Sequence, residues 1–411
     1  MNPFKPAVLG IALMICSSAL SAQDTTSAGA PDTAYVEYHD SPFSLPLGVG
    51  VRIPAYDRIN GLALPWGPKF ETSNGKFDID GLVTYRSNLG KWDPSLEGVF
   101  RPAGSQELRF FAGRGTSTND SWIRDDLTNS ATAFLAGSDA RNWYRADRAT
   151  ARYGATIMGK SVTVTPYFGG NFENDWSTGS GALTPPPKSP WAFYGHTSDT
   201  RMRRPNPSVS RGHIGSLLGG AGLDWVSGGL DGKFKLDLEK SLQTSLEPVC
   251  FLAPPSSLVC DAPPGDFTQL RFDARLMFPT FGSQTFTFHG HTVLTGGDGT
   301  GPAQRFAYLG GVNTLASVKL LALGGDQLLF LMGEYRIPFE RIQVPFLGNP
   351  FFALNYAAGN AGADNIPALI QNLGVGVGVG FIRADYTLDP ASNRSPLSRR
   401  NTFSLGLSLS P

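Results

Sequence analysis

The sequence predicts an all-β fold, a closed antiparallel transmembrane β-barrel of about 14 to 16 strands with long extracellular loops. Three observations carry this expectation. Segments 267–278 and 285–294 place Phe, Leu and Ala at every second position, with Gln, Arg, Asp, Thr or His between them. Side chains on a strand alternate between its faces, so each segment is a ribbon greasy on one side and charged on the other. The chain opens with an export signal, and beyond that signal no window approaches the roughly 18 apolar residues that a spanning helix requires. A membrane-spanning chain of this kind must cross with strands.

The opening segment, residues 1–22, has a lone cation at Lys5, an apolar run over 7–15 and the small residues Ser17, Ser18, Ala19, Ser21 and Ala22. This is the pattern of a secretory signal peptide. Residues 23–55 are rich in Ala, Ser, Thr and Asp and read as an N-terminal periplasmic tether; residues 56–411 read as the barrel. Charged residues make up only 17% of the chain while Gly numbers 49, Pro 31 and Phe 27, which suits tight turns and aromatic anchors at headgroup depth. A formal net charge of zero argues against capture of nucleic acid.

Candidate strands follow at 61–70, 77–86, 92–101, 108–115, 142–153, 161–172, 215–226, 230–242, 267–278, 285–294, 328–339, 351–358, 373–381 with a continuation to 388, and 402–409. Phe77, Ile79, Gly81, Val83 and Tyr85 alternate with Asp78, Asp80, Thr84 and Arg86; Phe234, Leu236 and Leu238 alternate with Lys235, Asp237 and Glu239. In a lipid-exposed barrel the apolar set faces acyl chains and the ionised set lines the lumen, as expected for Arg271, Asp273, Arg275, His289 and His291. The strand containing Gly374, Gly376, Gly378 and Gly380 has one face with no side chains, so a neighbouring group can pack closely against it. Long insertions at 116–141, 173–211 and 245–266 are assigned to the cell exterior, and residues 125–135 of the first could form a short helix. The second carries Arg201, Arg203 and Arg204, which could meet anionic lipopolysaccharide headgroups or simply face solvent. In the third, an oxidising compartment would join Cys250 to Cys260, a loop staple worth about 2 to 3 kcal/mol on the chain-entropy argument.

The stretch Gln304-Arg305-Phe306-Ala307-Tyr308-Leu309-Gly310-Gly311-Val312-Asn313-Thr314-Leu315, then Gly324-Gly325-Asp326 and Gly333-Glu334-Tyr335-Arg336-Ile337-Pro338-Phe339, resembles the carboxy-terminal barrel of the Omp85 superfamily, the bacterial surface antigen (D15) family. Arg58-Ile59-Asn60-Gly61-Leu62 resembles that family's first-strand signature. The resemblance implies a loop that folds back into the barrel, shaped by Gly310 and Gly311 and seated near Glu334 and Arg336. In the family the loop tip is Arg-Gly-aromatic, and its Arg packs near an Asp-x-Gly strand motif. Here the tip reads Ala316, Ser317, Val318 and the strand motif Ala357, Ala358, Gly359. Loss of one partner would strand a buried ion at a cost of about 3 to 5 kcal/mol, whereas loss of both is close to neutral. The periplasmic POTRA modules of protein-translocating members do not fit between the signal and Arg58, which weakens the case for an assembly or secretion machine.

No Gly-x-Ser-x-Gly elbow, His-Glu-x-x-His or zinc-spaced Cys/His set is present, and no cofactor or metal is expected. The expected function is structural or transport-related rather than catalytic. The expected partners are outer-membrane lipid and lipopolysaccharide, and the barrel assembly machinery during biogenesis. Three rivals stay open at this point: a porin-like passive channel, an outer-membrane hydrolase using Ser216, with His213 and a distant Asp, or another exposed serine, and a soluble secreted sandwich.

Overall fold

Period-two segments become strands because alternation lets each one present a uniform face to each neighbouring environment. In the computed structural model, residues 43–46, 49–178, 204, 206–253, 257–260, 264–297, 299–391 and 398–407 are described. The expected signal segment, Arg201, Arg203 and the side chains of Cys250 and Cys260 lie outside them. Nineteen segments hydrogen-bond into one antiparallel sheet. Three of them continue a strand across an interruption, so the chain makes sixteen passes, an even number.

In chain order these are β1 (Phe43–Ser44 and Ala55–Asp57), β2 (Gly61–Trp66 and Lys69–Glu71), β3 (Phe77–Arg86), β4 (Lys91–Ala103), β5 (Gln106–Ser117) and β6 (Tyr144–Ala155, continued by Ile157–Met158). Next come β7 (Val162–Ser177), β8 (Gly212–Ser227), β9 (Leu230–Leu246), β10 (Phe267–Pro279) and β11 (Thr285–Gly297). The series ends with β12 (Gln327–Pro338), β13 (Pro350–Gly362), β14 (Ile370–Val379), β15 (Ile382–Leu388) and β16 (Asn401–Leu407). Each pass pairs with the next in sequence, and among the described residues no pairing joins β16 to β1.

Two differences from the expected strands have physical causes. The segment read as a tether joins the sheet from Phe43: Phe43 pairs with Phe70, Val51 with Trp66 and Ala55 with Ala63. Pro46, Gly48, Gly50 and Pro54 interrupt any period-two signal there, and Pro cannot donate to a ladder. Residues 373–388 form two strands, because Gly380 adopts φ 56° and turns the chain between Val379 and Ile382.

The sheet is inside-out in the sense expected. Leu236 and Phe272 face each other across β9 and β10, with 41% and 36% of their surface exposed, while the register sets Lys235 opposite Asp273 and Asp237 opposite Arg271 on the other face. Gly374, Gly376 and Gly378 turn to that same inner face, where a Cβ would run into Asn355, Asp385 and Phe351. The bare glycine face is thus covered closely by neighbouring side chains.

Alternating strand direction sends every long connection to one end of the sheet. These are 118–143, 178–211, 247–266 and 298–326, whereas the opposite end has mostly tight turns. The first connection contains the expected helix, α1 (Asp126–Ala136), capped by the Asp125 carboxylate on the Thr128 N–H at 2.8 Å and closed by Gly137 in the left-handed region. In the third, the backbone forms a hairpin that sets Cys250 directly opposite Cys260.

Candidate functional site

Connections 118–143 and 298–326 fold onto the inner face of the sheet, and the core they build there is apolar. Leu309, Leu315, Val318, Leu321 and Leu323 of the second, with Trp122 and Ile123 of the first, bury against Val293, Leu328, Phe330, Ala357 and Ala361 of β11 to β13. A fully buried Leu or Val is worth roughly 1.5 to 3 kcal/mol, so this packing contributes to seating the loops on the sheet. The inner face was expected to be polar throughout; near the loop end it is lined by small and apolar residues that make room for the loops. Gly359 is one such position, because a Cβ there would sit 3.3 Å from Leu309 and closer still to the Leu329 carbonyl.

Gly310 and Gly311 lie at a sharp bend of loop 298–326. Their φ values are 119° and 91°, a region that L side chains avoid. The Gly311 N–H donates to the carbonyls of Leu315 and Val318 at 3.1 and 3.0 Å, and the Gly310 N–H to Thr314 Oγ1 at 3.1 Å. This pinch delivers Ser317 to its seat. The Ser317 N–H donates to Asn372 Oδ1 at 3.0 Å, Asn372 Nδ2 donates to Ser317 Oγ at 2.7 Å, and the Ser317 carbonyl accepts from the Arg399 N–H at 2.8 Å. Asn372 stands directly opposite Ala357 in the β13–β14 register. A neutral Ser–Asn pair therefore occupies the tip contact one strand away from the position where the resemblance places a carboxylate.

Glu334 and Arg336, grouped with the glycines by sequence, sit elsewhere on the wall. Glu334 bonds Arg383 of β15, Arg336 reaches Glu334 at 3.4 Å, and the Arg336 guanidinium lies 4.2 Å from the centre of the Phe351 ring. Arg383 also grips Asp385 at 2.7 Å. Together these charges form a patch over the glycine face of β14, and among the described residues their ionic partners all belong to the wall.

The predicted lumen-lining set is brought together. Asp273 Oδ2 lies 3.1 Å from both His289 Nε2 and His291 Nδ1, so the two rings meet on one carboxylate oxygen. Trp122 from connection 118–143 stacks on His291 with ring centres 4.1 Å apart and planes 7° from parallel. Arg275 reaches the Trp122 carbonyl at 3.4 Å and Arg271 reaches Asn119 Oδ1 at 3.4 Å. These five residues thus stand together on the inner face of the sheet, where connection 118–143 meets them. Among the described residues no group of three His, Cys, Asp or Glu is arranged to hold a metal ion.

Three groups escaped the sequence reading. Arg305 of connection 298–326 binds Glu239 through two hydrogen bonds of 2.8 Å and also meets Glu173, which Arg148 holds at 3.0 Å. Arg58, at the turn between β1 and β2, is buried and donates to the carbonyls of Arg141 and Arg204 at 3.0 and 2.9 Å, beside Asp139. Asp120 accepts from the Asn142 N–H at 2.8 Å, and burial pushes its carboxyl up to about 7. Inward parity in the strands marks Glu173 and Glu239, but no local pattern pairs them with an arginine more than sixty residues away. Ser216 and His213 do not converge: Ser216 turns inward and donates to Glu239 at 2.9 Å, while His213 is stacked on Phe172 with ring centres 5.7 Å apart. Residues three apart on a strand point to opposite faces, so this pair cannot act as a hydrolytic dyad.

No described protein family matches the chain, and no curated protein does. Among solved structures it is similar to BamA from Haemophilus ducreyi lacking POTRA domains 1–3, with a TM-score of 0.52 and 10% identity over 87% of this chain and 70% of that one. CdiB from Escherichia coli shares 12% identity at a TM-score of 0.47, over 87% of this chain and 61% of that one. CdiB from Acinetobacter baumannii shares 11% at 0.45, over 86% and 58%. The chain thus spans about three fifths of the length of the two CdiB structures. What the likeness to BamA shows is the fold alone: an antiparallel sheet arranged like the one in that structure.

Proposed function

We propose that this chain is an integral protein of the bacterial outer membrane, an Omp85-type surface-antigen barrel. Its lumen is filled by its own connections 118–143 and 298–326, and its role is structural or transport-related. One observation carries the reading: mid-strand Leu, Phe, Val and Tyr side chains stand exposed along one face, while Glu173, Gln269, His291 and Arg305 are buried on the other. In water that arrangement is unfavourable, whereas in a bilayer it buries the apolar surface and shields the ions. Closure into a barrel is supported by the even number of passes, which sets β16 antiparallel to β1, and by the cost of leaving a backbone edge in hydrocarbon. A sixteen-stranded ring without filling is wide enough for an aqueous channel, so the inserted loops are the elements that occlude it. The long connections face the exterior, with lipid and lipopolysaccharide around them, and folding proceeds through the barrel assembly machinery.

The test is outer-membrane fractionation with heat-modifiable gel migration, followed by planar-bilayer recording of the purified chain. The reading expects fractionation with the outer membrane, a folded form that migrates differently from the boiled one, and an unaltered chain that is electrically quiet. Release into the aqueous fraction without detergent, or steady single-channel current, would overturn it.

A further inference from the structure

Connection 298–326 is held at its tip by neutral groups and packing, and at its base by charge. At the base, the Arg305 guanidinium presents Nε and Nη2 to the two oxygens of Glu239 on β9, each at 2.8 Å, and its Nη2 also meets Glu173 on β7. The side chains of Arg305 and Glu173 keep only 4% and 0% of their exposure. Arg148 of β6 holds the other Glu173 oxygen at 3.0 Å, and Ser216 of β8 donates to Glu239 at 2.9 Å. One side chain of the loop thus gathers strands β6 to β9, on a part of the wall away from the β12–β15 charge patch. A guanidinium fork clasping a carboxylate through two parallel bonds fixes direction as well as distance.

We propose that Arg305 is the positioning residue that keeps connection 298–326 in the lumen, with Glu173 and Glu239 as its two-carboxylate clamp. This rests on the reading that the loop occludes the barrel. Without the guanidinium, Glu239 loses its two-bond fork and Glu173 keeps Arg148 alone, so two buried carboxylates are left short of positive charge and the loop base loses its ionic hold on the wall. Glu173→Gln with Glu239→Gln removes the same lock from the other side. Arg305→Lys keeps the charge and loses the fork, so it stands between the two states.

The test uses the full chain with Cys250→Ser and Cys260→Ser, and Ser317→Cys as a reporter. Ser317 is fully buried at the loop tip, so maleimide modifies the reporter only when the tip leaves its seat. Labelling at least tenfold faster is expected for Arg305→Met and for the double Gln variant, with Arg305→Lys intermediate, and with heat-modifiable migration retained. A folded Arg305→Met that labels no faster than its parent would overturn the proposal. Should Arg305→Met fail to fold, the double Gln variant decides in the same way, and Arg305→Lys decides if both fail. Bilayer current separates the two readings: a parent chain that conducts while Ser317→Cys stays protected refutes occlusion by the loop and leaves the clamp standing.

Discussion

Val375 and Phe346 are both apolar and both exposed, at 42% and 106%, yet replacing each by Arg should give opposite results. Val375 lies five residues into β14 from the end that carries the long connections. At about 3.3 Å per residue and a tilt near 40° it sits roughly 12 Å down, close to the middle of an apolar band about 25 Å tall. Its cross-strand neighbours Leu354 and Tyr386 are exposed on the same face, so neither offers a carboxylate to a guanidinium. An arginine at mid-bilayer depth costs about 2 to 4 kcal/mol, falling to about 0 to 1 kcal/mol near the interface. Phe346 occupies a turn at the other end, and Arg there costs nothing measurable. Urea titration of the protein folded into vesicles, followed by heat-modifiable migration, reads both variants. If Val375→Arg and Phe346→Arg lose stability equally, or Val375→Arg loses none, the face described as lipid-facing is in water and the reasoning fails.

Three further outcomes follow from particular contacts. Burial raises the Asp120 carboxyl to about 7 in the folded state, well above an unfolded aspartate, so its own contribution to stability is full below about pH 4 and is lost as pH rises to about 7. Asp120→Asn keeps an acceptor for Asn142 and should gain on the parent by on the order of 4 kcal/mol at most between those limits; an advantage independent of pH would contradict the burial argument. Asn372→Ala removes both side-chain bonds to Ser317 and should lower stability by about 1 to 3 kcal/mol while Ser317→Ala costs less, since it leaves the backbone N–H bonded; equal losses would place the seat elsewhere. Cys250→Ser with Cys260→Ser should lower stability by about 2 to 3 kcal/mol in oxidised protein and change nothing after reduction; an oxidised parent in which both thiols still react with maleimide would rule out the staple.

Much of the fold was legible in residue order. Period two in 77–86, 230–242 and 267–278 specified strands and their two faces, because a strand's side-chain direction depends on parity alone. Residues 125–135 read as a short helix, and only the structure showed its caps at Asp125 and Gly137. The glycine pair at 310 and 311 marked a backbone that other residues cannot adopt. The first pass, 43–57, was hidden, since prolines and glycines erase periodicity where pairing is set by the partner strand.

What residue order determined by itself was therefore which of the two sheet faces each strand side chain takes, since alternation fixes that choice locally. Which groups meet inside was decided only by the tertiary structure. Arg305 finds Glu173 and Glu239, Ser317 finds Asn372, and Trp122 finds His291 across separations of 55 to 169 residues. Nothing near those positions in the chain specifies the meeting. The partners converge because two long loops pack against one face of the sheet, where buried charges must be paired and apolar side chains must pack.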